Sequence, residues 1–124
     1  MTPARFRPHE RIKLEADFRR AYERKRSASD AVMVVFGAEN GLPYARLGLS
    51  VSRRKFGTAV ARNRVKRLLR EAFRLSKGEL PVGIDLVIVP RGPKLTFAAA
   101  RTSLSTLAQA VARRLKPRPE KSPP

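Results

Sequence analysis

The sequence predicts an α+β domain, an α/β sandwich whose elements follow the order α, β, β, α, β, α, with one further short strand allowed for. Three observations carry this expectation. Apolar residues recur at helical spacing in three segments, other segments alternate or run apolar over strand lengths, and turn residues separate them. A chain of 124 residues suits one domain with one modest core. Charge and proline content divide it into a basic flexible N-terminal tail over residues 1–11, a single domain over 12–115, and a proline-rich basic tail, "KPRPEKSPP", over 116–124. The lone histidine, His9, belongs to the first tail and reads as solvated.

The first helix is expected from Lys13 to Arg26. Leu14, Phe18, Ala21 and Tyr22 stand at i, i+4, i+7 and i+8, the spacing of one buried stripe. Next, "AVMVVFGAE" is rich in β-formers, "NGLP" signals a turn, and "YARLGLSVS" alternates. Its Ala45, Leu47, Leu49 and Val51 oppose Arg46, Gly48, Ser50 and Ser52. The local pattern therefore predicts an antiparallel hairpin whose second strand has one apolar face and one small or polar face.

Gly57 breaks the chain and Thr58 offers an N-cap for a helix of roughly 19 residues, about 28 Å long, ended by "KGELP". The late segment "GIDLVIVPRG" carries Ile84, Leu86, Val87, Ile88 and Val89, which suits a strand covered on both faces and central in its sheet. From Thr96 as cap, Leu104, Leu107, Ala108, Val111 and Leu115 mark the last core-facing helix.

The formal net charge of +18 favours a polyanionic partner. No apolar run approaches the ~18 residues of a membrane span, and the opening residues lack a signal-peptide core, so a cytoplasmic protein is expected. With no cysteine and one histidine, the chain offers neither a disulfide framework nor a thiolate or histidine-cluster metal site. Its ten acidic residues are scattered, which argues against a two-metal nuclease centre in the protein.

The charge is concentrated in "AVARNRVKRLLREAFR", Ala59 to Arg74, with six cations and one carboxylate. Like charges at i,i+4 cost a few tenths of a kcal/mol per pair, so the cluster asks for a counter-charge. Counted from Arg62 at about 100° per residue, Lys66, Arg70, Asn63, Arg74 and Arg67 span an arc of roughly 140°. Val65, Leu68, Leu69 and Ala72 lie opposite. An ordinary solvated face mixes signs, whereas this one holds only Glu71. From charge alone a ribosomal protein remains open; a helix-turn-helix DNA binder ranks below it, because no short partner helix precedes the basic one.

The string "GLSVSRRKFGTAVARNRVKRLLREAFR", Gly48 to Arg74, closely resembles the signature of the bacterial ribonuclease P protein component, with "ARNR" matching its RNR motif. "LEADFRRAYERK", "DLVIVPR" and the Leu104 to Leu115 pattern extend the resemblance over nearly the whole chain. It implies a left-handed βαβ crossover carrying the RNR helix, as in the second domain of ribosomal protein S5. It also implies a protein subunit that binds the catalytic RNA of ribonuclease P and the 5′ leader of precursor tRNA, promoting removal of that leader.

By that resemblance the catalytic RNA would meet Arg53, Arg54, Lys55, Arg62, Asn63, Arg64, Lys66, Arg67 and Arg70. The leader would lie against Phe18, Tyr22 and Phe36, and Ser50 and Ser52, on the polar face of their strand, are expected to line the same cleft. No residue of the protein would be catalytic, Mg²⁺ would be held by the RNA of the holoenzyme and none by the protein alone, and no protein partner or membrane is implied. Phe18 and Tyr22 also stand at core spacing, so packing and stacking are both open for them.

Overall fold

The computed structural model describes residues 6–92 and 94–115, and the C-terminal tail 116–124 lies outside the described residues. Helix α1 spans Glu15–Arg24 and is followed by strands β1 (Arg26–Ser29), β2 (Met33–Glu39) and β3 (Arg46–Leu49). A short helix α2 (Arg53–Phe56) precedes the long α3 (Ala59–Ser76), and β4 (Ile84–Pro90) and α4 (Phe97–Leu115) complete the chain.

The sheet order is β1-β2-β4-β3. β2 pairs antiparallel with β1 and β4, while β3 runs parallel to β4 with Leu47 opposite Leu86. The expected β2–β3 hairpin is therefore corrected: β4 lies between them. Six of its seven residues are buried, so it gains most with a neighbour on each side. The intervening loop wraps the end of β4. Asn40 Oδ1 accepts from the Leu42 amide at 2.8 Å, and the Asn40 amide donates to the Gly83 carbonyl at 3.0 Å.

The hairpin that does form is β1–β2, whose first strand, "RSAS", has only Ala28 as an apolar marker. Its turn is fixed by Asp30, whose Oδ1 accepts from the Val32 and Met33 amides and whose Oδ2 accepts from Ser103 Oγ at 2.7 Å. Burial raises the Asp30 pKa, but these donors outweigh it and hold the carboxyl below its ordinary range. α1 stops at Lys25, left-handed with φ 57°, rather than at Arg26, which already belongs to β1.

Helices α3 and α4 cover one face of the sheet. Phe73, Leu69, Val65, Leu104 and Val111 close there on Met33, Val35, Leu86 and Ile88 to form the main core. α1 lies on the other face, where Ala21 and Ile12 meet Ala38 and Val87, with Phe18 and Phe36 at the margin. Two glycines set these approaches. A Cβ on Gly37 would stand 2.3 Å from Val111 of α4, and one on Gly48 would stand 2.9 Å from the Phe18 ring of α1.

The expectation of a flexible tail over 1–11 is corrected from Phe6 onward. Phe6 meets Phe73 edge to face at 5.4 Å, and Glu10 is buried against Lys77 Nζ at 2.7 Å. Arg11 bridges in parallel to Leu47, and the Ile12 amide donates to the Leu47 carbonyl at 2.9 Å. Apolar and ionic partners on the domain outweigh the entropy that proline and charge suggested would keep this segment free. His9 is exposed, its ring edge-on to Tyr44.

Candidate nucleic-acid interface

Thr58 caps α3 as its position suggests, Oγ1 accepting from the Ala61 amide at 3.1 Å. The buried stripe of Val65, Leu69, Ala72, Phe73 and Ser76 turns the opposite face outward. Asn63, Arg64 and Arg67 are exposed on it. Lys66 and Arg70 are half-buried along the flank that faces β3 and the N-terminal segment. Arg53, Arg54 and Lys55 stand exposed on α2, which Phe56 anchors in the core.

Not every cation of the motif is free for a ligand. Arg62 is half-buried and donates from Nε to the Val51 carbonyl at 3.1 Å, tying the first turn of α3 to the strand exit. Arg64 donates to the Leu95 carbonyl at 3.1 Å and so reaches the chain just before α4. Arg74 pairs with Glu71, leaving that carboxylate engaged. Among the described residues Arg53, Arg54, Lys55, Lys66 and Arg67 have no carboxylate partner.

The aromatic residues form a second surface under α1. Tyr22 and Phe36 meet edge to face with centroids 5.0 Å apart. Tyr22 is 36% exposed, and Phe18 and Phe36 are half-buried, so each ring serves packing while keeping part of its surface open. The reason is orientation: Phe18 lies against Gly48 of β3 and Tyr22 against Phe36 of β2, both register partners of Val87, so α1 crosses the strands and carries both rings on one flank. Beyond the helix, Val34, Val89 and Ser50 are only partly covered. Ser52 has a different task, its Oγ accepting from the Lys55 amide at 3.2 Å to cap α2.

The opposite flank of α1 is clamped. Asp85, fully buried in β4, accepts two hydrogen bonds from Arg46 at 2.8 and 2.7 Å, one from Arg20 of α1 at 3.0 Å, and one from Asn40 at 3.0 Å. Asp17 adds contacts to Arg20 and Arg46 at 3.3 and 3.4 Å. The hydrogen bonds to Asp85 raise the Arg46 pKa despite partial burial. Sequence reading passed over this clamp, although a single acid inside an otherwise apolar strand was its signal.

The two surfaces adjoin. A cavity of about 110 Å³ is lined by Phe6, Arg11, Ile12, Phe18, Leu47, Leu49, Lys66 and Arg70. It joins an aromatic of α1 to cations of α3, and Phe6 and Arg11 join it from the segment expected to be loose. Burial, and then the charge of Arg11, lower the Arg70 pKa, and among the described residues Arg70 has no carboxylate partner.

The family model described as Ribonuclease P matches residues 6–112. The chain belongs to the ribonuclease P protein family. It is 40% identical over 111 residues to the ribonuclease P protein component of Thermotoga maritima, covering 90% of this chain and 93% of that one. The Thermotoga petrophila component is 45% identical over 86 residues, 69% of this chain and 73% of the relative. Among solved structures, the ribonuclease P protein of Thermotoga maritima superposes with a TM-score of 0.71 at 34% identity, covering 87% of this chain and 99% of that chain. The Staphylococcus aureus protein gives 0.71 at 32% identity, covering 86% and 98%.

The α+β fold and the resemblance in the RNR string are thus those of ribonuclease P proteins. As a ribonuclease P protein component, the chain is a subunit of an endoribonuclease, acts in tRNA processing and associates with the ribonuclease P RNA. No helix among the described residues is long and apolar enough to cross a membrane.

Proposed function

We propose that this subunit holds two RNAs side by side: the catalytic RNA on α2 and the outer face of α3, and the 5′ leader of precursor tRNA in the cleft bounded by α1 and the open part of the sheet. The shared cavity carries this reading, because Phe18 and the cations Lys66 and Arg70 line one hollow. A strand entering past Tyr22 and Phe36 would meet rings for its bases and then cations for its phosphates. Arg62 and Arg64 act partly by fixing the helix from which the other cations project.

Cleavage itself belongs to the RNA. Asp17, Asp85, Glu10, Glu39 and Glu71 are engaged by arginine or lysine, so these acids serve the fold's own cohesion, and Mg²⁺ would be held by RNA. The protein's contribution is to position the substrate and to lower repulsion between two polyanions, which favours Mg²⁺ uptake by the complex. Such work on new transcripts places the protein in the cytoplasm.

The test is reconstitution with the catalytic RNA at low Mg²⁺, comparing wild type with Tyr22→Leu. The variant keeps bulk at a helix position that is about one-third exposed but loses the ring and hydroxyl. Affinity of the holoenzyme for precursor tRNA should fall by about 1 kcal/mol or more while affinity for mature tRNA holds. Equal weakening for both substrates would remove Tyr22 from a leader site.

A further inference from the structure

The cavities, buried ionic groups and exposed rings of the molecule leave one aromatic without an assignment. We propose that the groove between α3 and the start of α4 is a stacking site for one unpaired RNA base, with Phe97 as its platform. The proposal rests on the reading of α3 as an RNA-binding helix, but its observations are separate from the cleft under α1.

The groove is shallow and open, with a volume of about 370 Å³, and is lined by Arg64, Arg67, Leu68, Glu71 and Phe97. The four α3 residues stand at i, i+3, i+4 and i+7, one stripe of that helix. It is the flank opposite Lys66 and Arg70, so the cationic face has a hollow on each side.

Only eight aromatic residues occur in the chain, all within the described residues, and Phe97 is the most exposed at 37%. It opens α4, where Thr96 already supplies the cap through its bond from the Ala99 amide at 3.2 Å. Helix initiation therefore does not require the ring. An apolar lining of the groove would be served as well by leucine, whereas a flat partner needs a flat platform.

Charge selects the partner. Arg64 is tethered to the Leu95 carbonyl, just before α4, and Arg67 stands exposed with no carboxylate partner among the described residues. Glu71 is engaged by Arg74. No acid occupies the first turn of α4. An apolar ring between cations matches a nucleotide, its base on Phe97 and its phosphate at the arginine rim. An acidic peptide would find cations there but no use for the open ring face.

The experiment measures binding of Phe97→Ala, Phe97→Leu and Phe97→Trp proteins to the catalytic RNA, and of the corresponding holoenzymes to precursor tRNA, each across a salt titration. Phe97→Leu should retain the wild-type melting temperature, because an apolar side chain remains at the position and Thr96 still caps α4. Both Ala and Leu should weaken one of the two RNA affinities about fivefold or more, with the salt slope unchanged because the lost contact is uncharged, and Trp should restore it. The RNA whose affinity falls is the source of the base. Wild-type affinity of Phe97→Leu for both RNAs would overturn the proposal, as would a loss that Trp fails to restore. Arg67→Ala, run alongside, tests the underlying reading: a shallower slope there with neutral Phe97 variants defeats the stacking site alone, and an unchanged slope removes Arg67 from the RNA face.

Discussion

Replacing Gly48 with alanine probes how the leader cleft is built. A Cβ there would lie 2.9 and 3.0 Å from Phe18 Cε1 and Cζ and 3.1 Å from Ile12 Cδ1. Ordinary carbon contacts begin near 3.5 Å, so something must yield by about 0.6 Å. Ile12 is buried and has little room, whereas Phe18 is half-buried and can swing toward solvent. Overpacking costs about 1–3 kcal/mol, and alanine recovers about 0.5–1 kcal/mol over glycine in a strand, so a net loss of roughly 0.5–2 kcal/mol is expected. Urea unfolding of Gly48→Ala, Phe18→Leu and the double variant measures it. With the smaller Phe18→Leu side chain, the alanine should become neutral or stabilising. The displaced ring should also reduce the holoenzyme's preference for precursor over mature tRNA several-fold. Additive effects in the unfolding cycle would show that Gly48 and Phe18 are not coupled, and would refute this account of the cleft wall.

Asp85→Asn should destabilise the domain by about 3 kcal/mol or more, since it leaves two guanidinium groups without their buried counter-charge, and calorimetric melting checks this. Burial pushes the Glu10 pKa up, but Lys77 and the Arg7 amide outweigh it and bring it below the ordinary 4.5. Its stabilisation is therefore complete above about pH 4.5 and is lost as pH falls through the lowered value. Glu10→Gln should be less stable at neutral pH and show a flatter acid limb in urea midpoints from pH 3 to 7. Arg67→Ala should weaken binding to the catalytic RNA and reduce the salt slope by roughly 0.7–0.9, read from a filter-binding titration.

Much of this architecture follows from local pattern, and the departures have physical causes. The cap at Thr58 and the buried stripe of α3 depend on neighbours in sequence, so they were legible. The wheel angles also foreshadow the inward role of Arg62: Phe73 lies only about 20° from it, on the edge of the core face. Strand partnership was not legible locally, because the demand of β4 for two neighbours acts across some forty residues and overrides a turn signal. Phe18 and Tyr22 could not be assigned from spacing, since the same i,i+4 stripe serves a core or a cleft. In the fold α1 crosses the strands with both rings on one flank, where each packs against the sheet and keeps part of its surface open. Phe6 and Arg11 gave no motif, and the signature string that begins at Gly48 did not disclose its contact with Phe18, because these roles arise only where three distant segments meet.

The seam between Arg11–Ile12 and β3 bears on the protein before it finds its RNA. β3 is an outer strand, and an outer strand with free amides and carbonyls is a template for self-association. Here the chain's own beginning lies along part of that edge, locked by the Glu10–Lys77 pair and the Phe6–Phe73 contact. The other edge, β1, is only four residues long and begins with an arginine. A newly made subunit thus reaches its partner with both borders of the sheet blunted, one by a strap and the other by brevity and charge, which leaves less template for self-association.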